Sequence, residues 1–173
     1  MVATSGDRLI AADTVEVLVR ELFPRVAVIT PNLDEAALLL GHDIVNADAL
    51  TAAAIELLAM GAQAVLLKGR HLVGDEVVDL LLQADGSSQR LASTRIASRN
   101  VHGTGCTLSS AIAAHLAVGH ALQEAVTLAR SFILSAIAQG ANVTTGQGHG
   151  PLNHGFAPMP LHRITNPPST VNT

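Results

Sequence analysis

The sequence predicts a single α/β domain, in which a mainly parallel sheet is covered by helices on both faces. Of its 173 residues, 49% are hydrophobic and only 14% are charged, a balance that suits a sheet buried on both sides. Short apolar runs alternate with helical patterns along the chain, which is typical of parallel α/β architectures. No apolar run approaches the roughly 18 residues of a membrane span, so we expect no contact with a membrane.

The first elements in chain order are a helix and a buried strand. Asp13 is predicted to cap a helix that runs to Leu22 and stops at Pro24. The apolar run that follows, Arg-Val-Ala-Val-Ile-Thr at 25–30, is predicted to form a strand.

Two helices are predicted next, each with a recognisable end. Asn32 is in the N-cap position of the first, with Glu35 three residues later, as in a capping box. Asn46 or Asp48 starts the second, and Gly61 closes it, because glycine readily adopts the left-handed conformation that ends helices.

The remaining elements continue the α/β pattern. They are a buried strand at 64–68, an antiparallel pair at 76–82 and 90–96, and helices at about 105–118 and 122–139. The turn Asp-Gly-Ser-Ser at 85–88 joins the antiparallel pair.

The segment from Asn100 to Ser110 contains the most informative residues, Gly103, Thr104, Gly105 and Cys106. Glycines allow a tight turn and a close backbone approach to a ligand. The helix that begins there adds unpaired N–H donors and the positive end of its dipole, which together favour a phosphate group. We call these four backbone amides the anion hole.

Cys106, the only cysteine, lies where the helix dipole favours an anionic base. The alternative is that the turn is a plain helix cap and that the cysteine fills apolar space.

Polar side chains also follow the predicted strands, where ligands bind in open α/β sheets. Lys68 ends one strand and could place its ammonium group beside nucleotide phosphates. Asn32 and Glu35 follow another and could hold Mg²⁺ through water. The alternatives are a helix cap for Asn32 and Glu35 and a solvated strand end for Lys68.

Composition excludes several other functions. A net charge of −4, with no Trp and no Tyr, argues against nucleic-acid binding. A single cysteine permits no internal disulfide and suits a reducing cytoplasm. The eight histidines form no His-x-x-x-His pair, so a zinc site is not predicted. The segment from His149 to His154 is expected to be an ordered loop.

Four motifs occur in one order: Ile-Thr-Pro-Asn-Leu-Asp-Glu-Ala at 29–36, Val-Leu-Leu-Lys-Gly at 65–69, His-Gly-Thr-Gly-Cys-Thr-Leu-Ser-Ser at 102–110 and Gly-His-Gly-Pro-Leu-Asn-His at 148–154. Together they closely resemble the hydroxymethylpyrimidine/phosphomethylpyrimidine kinases, the thiamine-pathway members of the ribokinase-like superfamily. The resemblance runs from Met1 to about His154. Most sugar kinases of the superfamily carry aspartate at the position of Cys106, whereas the pyrimidine kinases and some pyridoxal kinases carry cysteine.

The resemblance implies a three-layer α/β/α fold and ATP-dependent phosphorylation of hydroxymethylpyrimidine and of its monophosphate. Cys106 would be the catalytic base, and the anion hole would stabilise charge on the transferring phosphoryl group. Lys68 would bind the ATP phosphates. Asn32 and Glu35 would organise Mg²⁺ and its waters.

Residues 1–6 look like an internal part of the family sequence. The resemblance therefore implies that the segment with which family members begin is absent here. We therefore expect residues 1–165 to be the C-terminal part of one kinase domain, incomplete at the N-terminus and with an exposed apolar sheet edge. Residues 166–173 are expected to be a flexible tail. The expected partners are ATP and a small pyrimidine, with no nucleic acid, and the full-length protein is expected to be a cytoplasmic homodimer.

Three alternatives stay open at this point. The first is a pyridoxal kinase of the same superfamily, and the second is a non-catalytic remnant that binds nucleotide. The third, a hydrolase that uses Cys106 and His102, is disfavoured because no oriented base partner is visible along the chain.

Overall fold

The computed structural model describes residues 11–46, 49–69, 74–144 and 146–158. Both the family-like start at residues 1–6 and the expected tail at 166–173 lie outside these ranges. The described helices and strands are α1 (Ala12–Val17, continued by a π-helical turn Leu18–Leu22 and a 3-10 turn Phe23–Arg25), α2 (Leu33–Leu40), α3 (Ala49–Ala59), β1 (Ala64–Lys68), β2 (Glu76–Gln83), β3 (Ser88–Thr94), α4 (Thr104–Ala117) and α5 (Leu122–Gly140).

The three strands form one sheet in the order β1-β2-β3, and both pairs are antiparallel. The predicted hairpin is confirmed: β2 and β3 pair from Glu76 opposite Thr94 to Leu82 opposite Ser88. In the turn, Gly86 has a φ of +84°, and the Ser87 N–H donates to Asp85 Oδ1 at 2.8 Å. The mainly parallel sheet that the sequence predicts is not seen among the described strands.

Parallel pairing is confined to isolated bridges, and the predicted strand at 25–30 does not form. Ile29 bridges β1 in parallel at Val65, and Asn32 does so at Lys68. Pro31 lies between these bridges; its carbonyl accepts the Lys68 N–H at 3.0 Å. Because proline has no N–H, it cannot donate the reciprocal ladder bond, and the strand is interrupted there.

Helices cover both faces of the sheet, as predicted. Val65 and Leu67 belong to one buried cluster with residues of α2 and α3. The intervening Leu66 belongs to a second cluster with Ile112 of α4 and Ile133 of α5. Since successive strand residues point to opposite faces, this alternation places β1 between two helical layers.

The helix ends confirm most of the predicted caps. Asn32 caps α2, and the N–H of Ala49, the first residue of α3, donates to Asn46 Oδ1 at 2.9 Å. Gly61 follows α3 with a φ of +104°, as expected for a helix-terminating glycine. Asp13 is not a cap, which corrects the prediction. The helix α1 begins at Ala12, and among the described residues the Asp13 carboxylate accepts only the N–H of its neighbour Thr14. Asp48 lies outside the described residues.

Within the described part of the chain, no helix is long and apolar enough to cross a bilayer.

Candidate active site

A glycine in the left-handed conformation sets the direction in which α4 begins. Gly103 is the N-cap with a φ of +82°, a conformation that glycine adopts without steric cost. The Thr104 hydroxyl donates to the Val101 carbonyl at 2.6 Å, and the Thr104 N–H reaches the same oxygen at 3.3 Å. The first helical bond runs from the Thr107 N–H to the Gly103 carbonyl at 2.9 Å. The turn is therefore held by its own residues.

These bonds leave part of the anion hole open. The N–H groups of Gly103, Gly105 and Cys106 have no acceptor within the described residues, whereas that of Thr104 is already donated to Val101. Unpaired N–H groups at a helix N-terminus attract anions because they add to the positive end of the dipole. The geometry thus supplies three of the four expected donors.

Lys68 brings a positive charge to this opening. Its Nζ atom lies 3.3 Å from the position that a β carbon on Gly105 would occupy. Lys68 shares the face of β1 that carries Leu66, toward α4 and α5. Burial lowers the pKa of Lys68, while the carboxylates of Glu35 and Asp79 oppose that effect. An ammonium group partly stripped of water binds phosphate oxygens more strongly than a solvated one.

Asn32 and Glu35 form a complete capping box at the start of α2. Asn32 Oδ1 accepts the Glu35 N–H at 2.8 Å, and Glu35 Oε2 accepts the Asn32 N–H at 3.0 Å. Burial favours the neutral acid, but the bond from Asn32 and the charge of Lys68 help to lower the pKa of Glu35 below its ordinary value. The bridge between Asn32 and Lys68 places this carboxylate beside the lysine.

Among the described residues, the donor set at this site fits a weakly held magnesium ion. No group of three or more His, Cys, Asp or Glu side chains converges in the described ranges. Mg²⁺ keeps several waters and needs only one or two carboxylates when phosphates supply the rest. Glu35 fits that requirement, and Asn32 already uses its side-chain oxygen to hold Glu35.

Cys106 is exposed and free of disulfides. It lies close enough to Lys68 for the two charges to interact. Among the described residues no hydrogen bond joins the His102 ring to Cys106, so the geometry lacks the oriented base that a Cys-His hydrolase needs.

A pocket of about 210 Å³ opens beside Glu35. It is lined by Phe23, Ile29, Thr30, Pro31, Glu35 and Leu39. Val28 and Ile29 are half-buried, and the exposed apolar sheet edge stays a prediction.

The loop at 148–154, predicted only to be ordered, contacts the active-site turn directly. The His102 N–H donates to the Gly150 carbonyl at 3.3 Å, and His154 Nε2 lies 2.9 Å from the Thr107 hydroxyl. The Asn153 N–H donates to the Ala136 carbonyl of α5 at 3.2 Å. The loop thereby ties the start of α4 to α5.

Asn100 is a structural residue of this region that the sequence pattern did not single out. It is 5% exposed, and its side-chain amide donates to the carbonyls of Gly140 and Val143, at 2.6 Å each. A β carbon on Gly150 would overlap the Asn100 side chain. Its place just before the glycine turn was the only signal available in the sequence.

The family model of phosphomethylpyrimidine kinase matches residues 1–153. This chain belongs to that family. A hydroxymethylpyrimidine/phosphomethylpyrimidine kinase of Rhizobium meliloti (strain 1021) is 49% identical over 155 residues, which cover 89% of this chain and 58% of the relative. The chain thus spans less than two thirds of that kinase.

Solved structures agree with this assignment. The Staphylococcus aureus pyridoxal kinase in complex with AMP-PCP matches 90% of this chain and 56% of its own, with a TM-score of 0.80 and 31% identity. The phosphomethylpyrimidine kinase of Clostridium difficile 630 matches 79% of this chain and 54% of its own, with a TM-score of 0.65 and 36% identity. The chain therefore has the ribokinase-like α/β fold that these kinases share, as the resemblance implied.

Proposed function

We propose that this chain provides the phosphate-binding and catalytic part of a kinase that transfers phosphate from ATP to hydroxymethylpyrimidine and then to its monophosphate, in thiamine diphosphate biosynthesis. One observation carries the proposal: the Lys68 ammonium group lies beside Gly105 in the first turn of α4, where N–H groups are open. Phosphoryl transfer depends mainly on positioning and on charge stabilisation, which this pairing supplies.

The roles are those that the resemblance to the family implies. The N–H groups of Gly103, Gly105 and Cys106 stabilise the negative charge that builds up on the transferring phosphoryl group. Lys68 binds the phosphate oxygens between the transferring phosphoryl group and the leaving ADP.

Cys106 acts as the base for the acceptor. Its thiolate takes the proton of the substrate hydroxymethyl group while that oxygen forms a bond to the γ-phosphorus and the bond to the ADP oxygen breaks. General-base catalysis of this type contributes about 10²–10⁴ in rate.

Glu35 holds Mg²⁺ through water in this proposal, and Asn32 fixes the carboxylate through the capping box. The metal supplies charge neutralisation on the phosphates. We further propose that the full-length protein is a cytoplasmic homodimer, as the resemblance implies.

A pyridoxal kinase is the second candidate. It is favoured by the structural similarity to pyridoxal kinases, which includes the Bacillus subtilis enzyme in its ADP complex, with a TM-score of 0.78 and 35% identity. Identity to the Rhizobium pyrimidine kinase is higher, at 49%, so the pyrimidine substrate stands first.

Two measurements on the chain test the proposal. Calorimetry with ADP and Mg²⁺ tests the phosphate site, with Lys68→Met as the variant that should lose binding. A phosphorylation assay then compares hydroxymethylpyrimidine, its monophosphate and pyridoxal. Faster transfer to the pyrimidines supports the proposal, and faster transfer to pyridoxal supports the second candidate. ADP binding without transfer to any of the three acceptors, together with no in-frame family segment encoded upstream, supports a nucleotide-binding remnant.

A further inference from the structure

A buried ion pair lies next to Lys68 and has no part in the roles given above. Asp79 of β2 is the direct register partner of Lys68 in β1. Its Oδ2 atom accepts a bond from Arg130 Nε of α5 at 2.9 Å. Asp79 and Arg130 are only 8% and 9% exposed, so both charges are removed from water.

The other oxygen of Asp79 holds the backbone that follows Lys68. Oδ1 accepts the Gly69 N–H at 3.0 Å. A β carbon on Gly69 would overlap the Val78 carbonyl, so the two strands approach unusually closely there. Asp79 therefore fixes the end of β1 from which the Lys68 side chain departs.

Arg130 orients Asp79 from the far side. Its two terminal nitrogens donate to the Val77 carbonyl at 3.3 Å, to Ser93 Oγ at 3.0 Å and to the Ala92 carbonyl at 3.4 Å. The guanidinium is thus held rigidly by β2 and β3. Apolar residues of similar volume often stabilise a fold as well as a buried ion pair does, so stability alone does not account for this arrangement.

We infer that Asp79 is a positioning residue for Lys68: it fixes the Lys68–Gly69 backbone and supplies the negative charge that keeps the ammonium group at the start of α4, while Arg130 holds Asp79 in place. This inference rests on the proposed role of Lys68 in phosphate binding.

The charges around Lys68 come from every element packed against it. Glu35 faces it from α2, Asp79 from β2 and Cys106 from α4, and Arg130 of α5 acts through Asp79. Burial lowers the pKa of Lys68, and Asp79 is one of the groups that raise it. Removal of the Asp79 charge should therefore let Lys68 lose its proton at a lower pH.

The chain offers an unusually clean test because Lys68 is its only lysine. Lysine labelled with ¹³C at the ε carbon gives a single side-chain signal, whose pH titration reports Lys68 directly. In Asp79→Asn, which keeps an oxygen for the Gly69 N–H, we expect the titration midpoint to fall by about half a pH unit or more. At a pH above both midpoints the protonated fraction of Lys68 then falls about threefold, and the affinity for ADP measured there should fall with it. Asp85→Asn, in the exposed hairpin turn, is the matched control and should change neither value.

A second variant separates the loss of the Asp79 charge from a loss of stability. Asp79→Asn leaves Arg130 buried without its partner, which is strongly destabilising. The double variant Asp79→Asn/Arg130→Met removes both charges and should fold, with a smaller shift in the same direction, because Asp79 is the register partner of Lys68 whereas Arg130 acts through Asp79.

The outcomes separate this inference from the proposed function. A titration midpoint that is unchanged in a folded variant overturns the role of Asp79. A lowered midpoint with unchanged ADP affinity confirms the action of Asp79 on Lys68 but removes Lys68 from phosphate binding. A chain that binds no ADP contradicts the proposed function, while the titration still decides the inference.

Discussion

Lys68 of β1 and Gly105 of α4 lie next to each other, and any side chain placed at position 105 would contact the Lys68 ammonium group. A β carbon at Gly105 would lie 3.3 Å from the lysine Nζ atom, closer than ordinary van der Waals contact. The contact is with the mobile end of a side chain, so the fold can accept it, but the ammonium group must then move. The absence of a side chain at Gly105 thus leaves room for the Lys68 ammonium group, and no backbone atom occupies that space.

Gly105→Ala should therefore change stability and binding in opposite directions. Alanine in a helix is favoured over glycine by about 0.5–1 kcal/mol, so the melting temperature should stay constant or rise. ADP affinity should fall, and by about tenfold or more in Gly105→Leu, because bulk blocks the close approach of phosphate.

Gly148→Ala is the control for that experiment, since Gly148 has an ordinary φ and open space around it. Undiminished ADP binding by Gly105→Leu would remove Gly105 from the phosphate site.

Cys106→Ala should lower phosphoryl-transfer turnover by about 10² or more and leave ATP affinity within a few fold, because a general base acts on the acceptor rather than on the nucleotide. The side chain is exposed, so the melting temperature should not change. Steady-state kinetics in a protein with measurable kinase activity provide the test. Ser110→Ala, one turn along the helix and also exposed, is the control. Near-normal turnover would show that Cys106 is not the base, although the anion hole could still operate.

Gly150→Ala should destabilise the fold by about 1–3 kcal/mol, because its β carbon overlaps the buried Asn100 side chain. Asn100→Ala should cost a similar amount, because the carbonyls of Gly140 and Val143 lose their donor. The double variant removes the overlap, so its loss should be smaller than the sum of the two single losses. Urea unfolding measures all three. Simple additivity would show that the two residues do not interact.

Glu35 should make stability depend on pH at the acid end. Its pKa in the folded chain lies below the ordinary 4.5, so its ionised form stabilises the fold above that value. The contribution is lost as the pH falls through the lowered pKa. Glu35→Gln keeps an acceptor for the Asn32 N–H but has no charge. The free energy of unfolding should therefore differ between the two proteins at neutral pH, and the difference should shrink as the pH falls below about 4.5 and through the lowered pKa of Glu35. A pH-independent difference would contradict this assignment.

Local features were predictable because their determinants are close together in the sequence. The capping box joins Asn32 to Glu35, three residues away, and Gly61 and Gly103 end or begin helices through their own backbone conformation. The hairpin of β2 and β3 follows equally from its turn. The glycine turn ahead of α4 is local too, which is why the sequence alone indicated a phosphate site there.

Tertiary structure decided which distant groups meet. The sequence pattern did not single out Asp79, whose partner Arg130 is 51 residues away. The strand predicted at 25–30 is reduced to isolated parallel bridges beside β1, where Pro31 has no N–H to donate to the ladder. Such contacts depend on how the folded layers align, and burial then makes each unmatched polar group costly. The sequence by itself determined most of the helix ends, the hairpin and the glycine turn ahead of α4, whereas only the packed sheet placed Lys68 at that turn and Asp79 behind it.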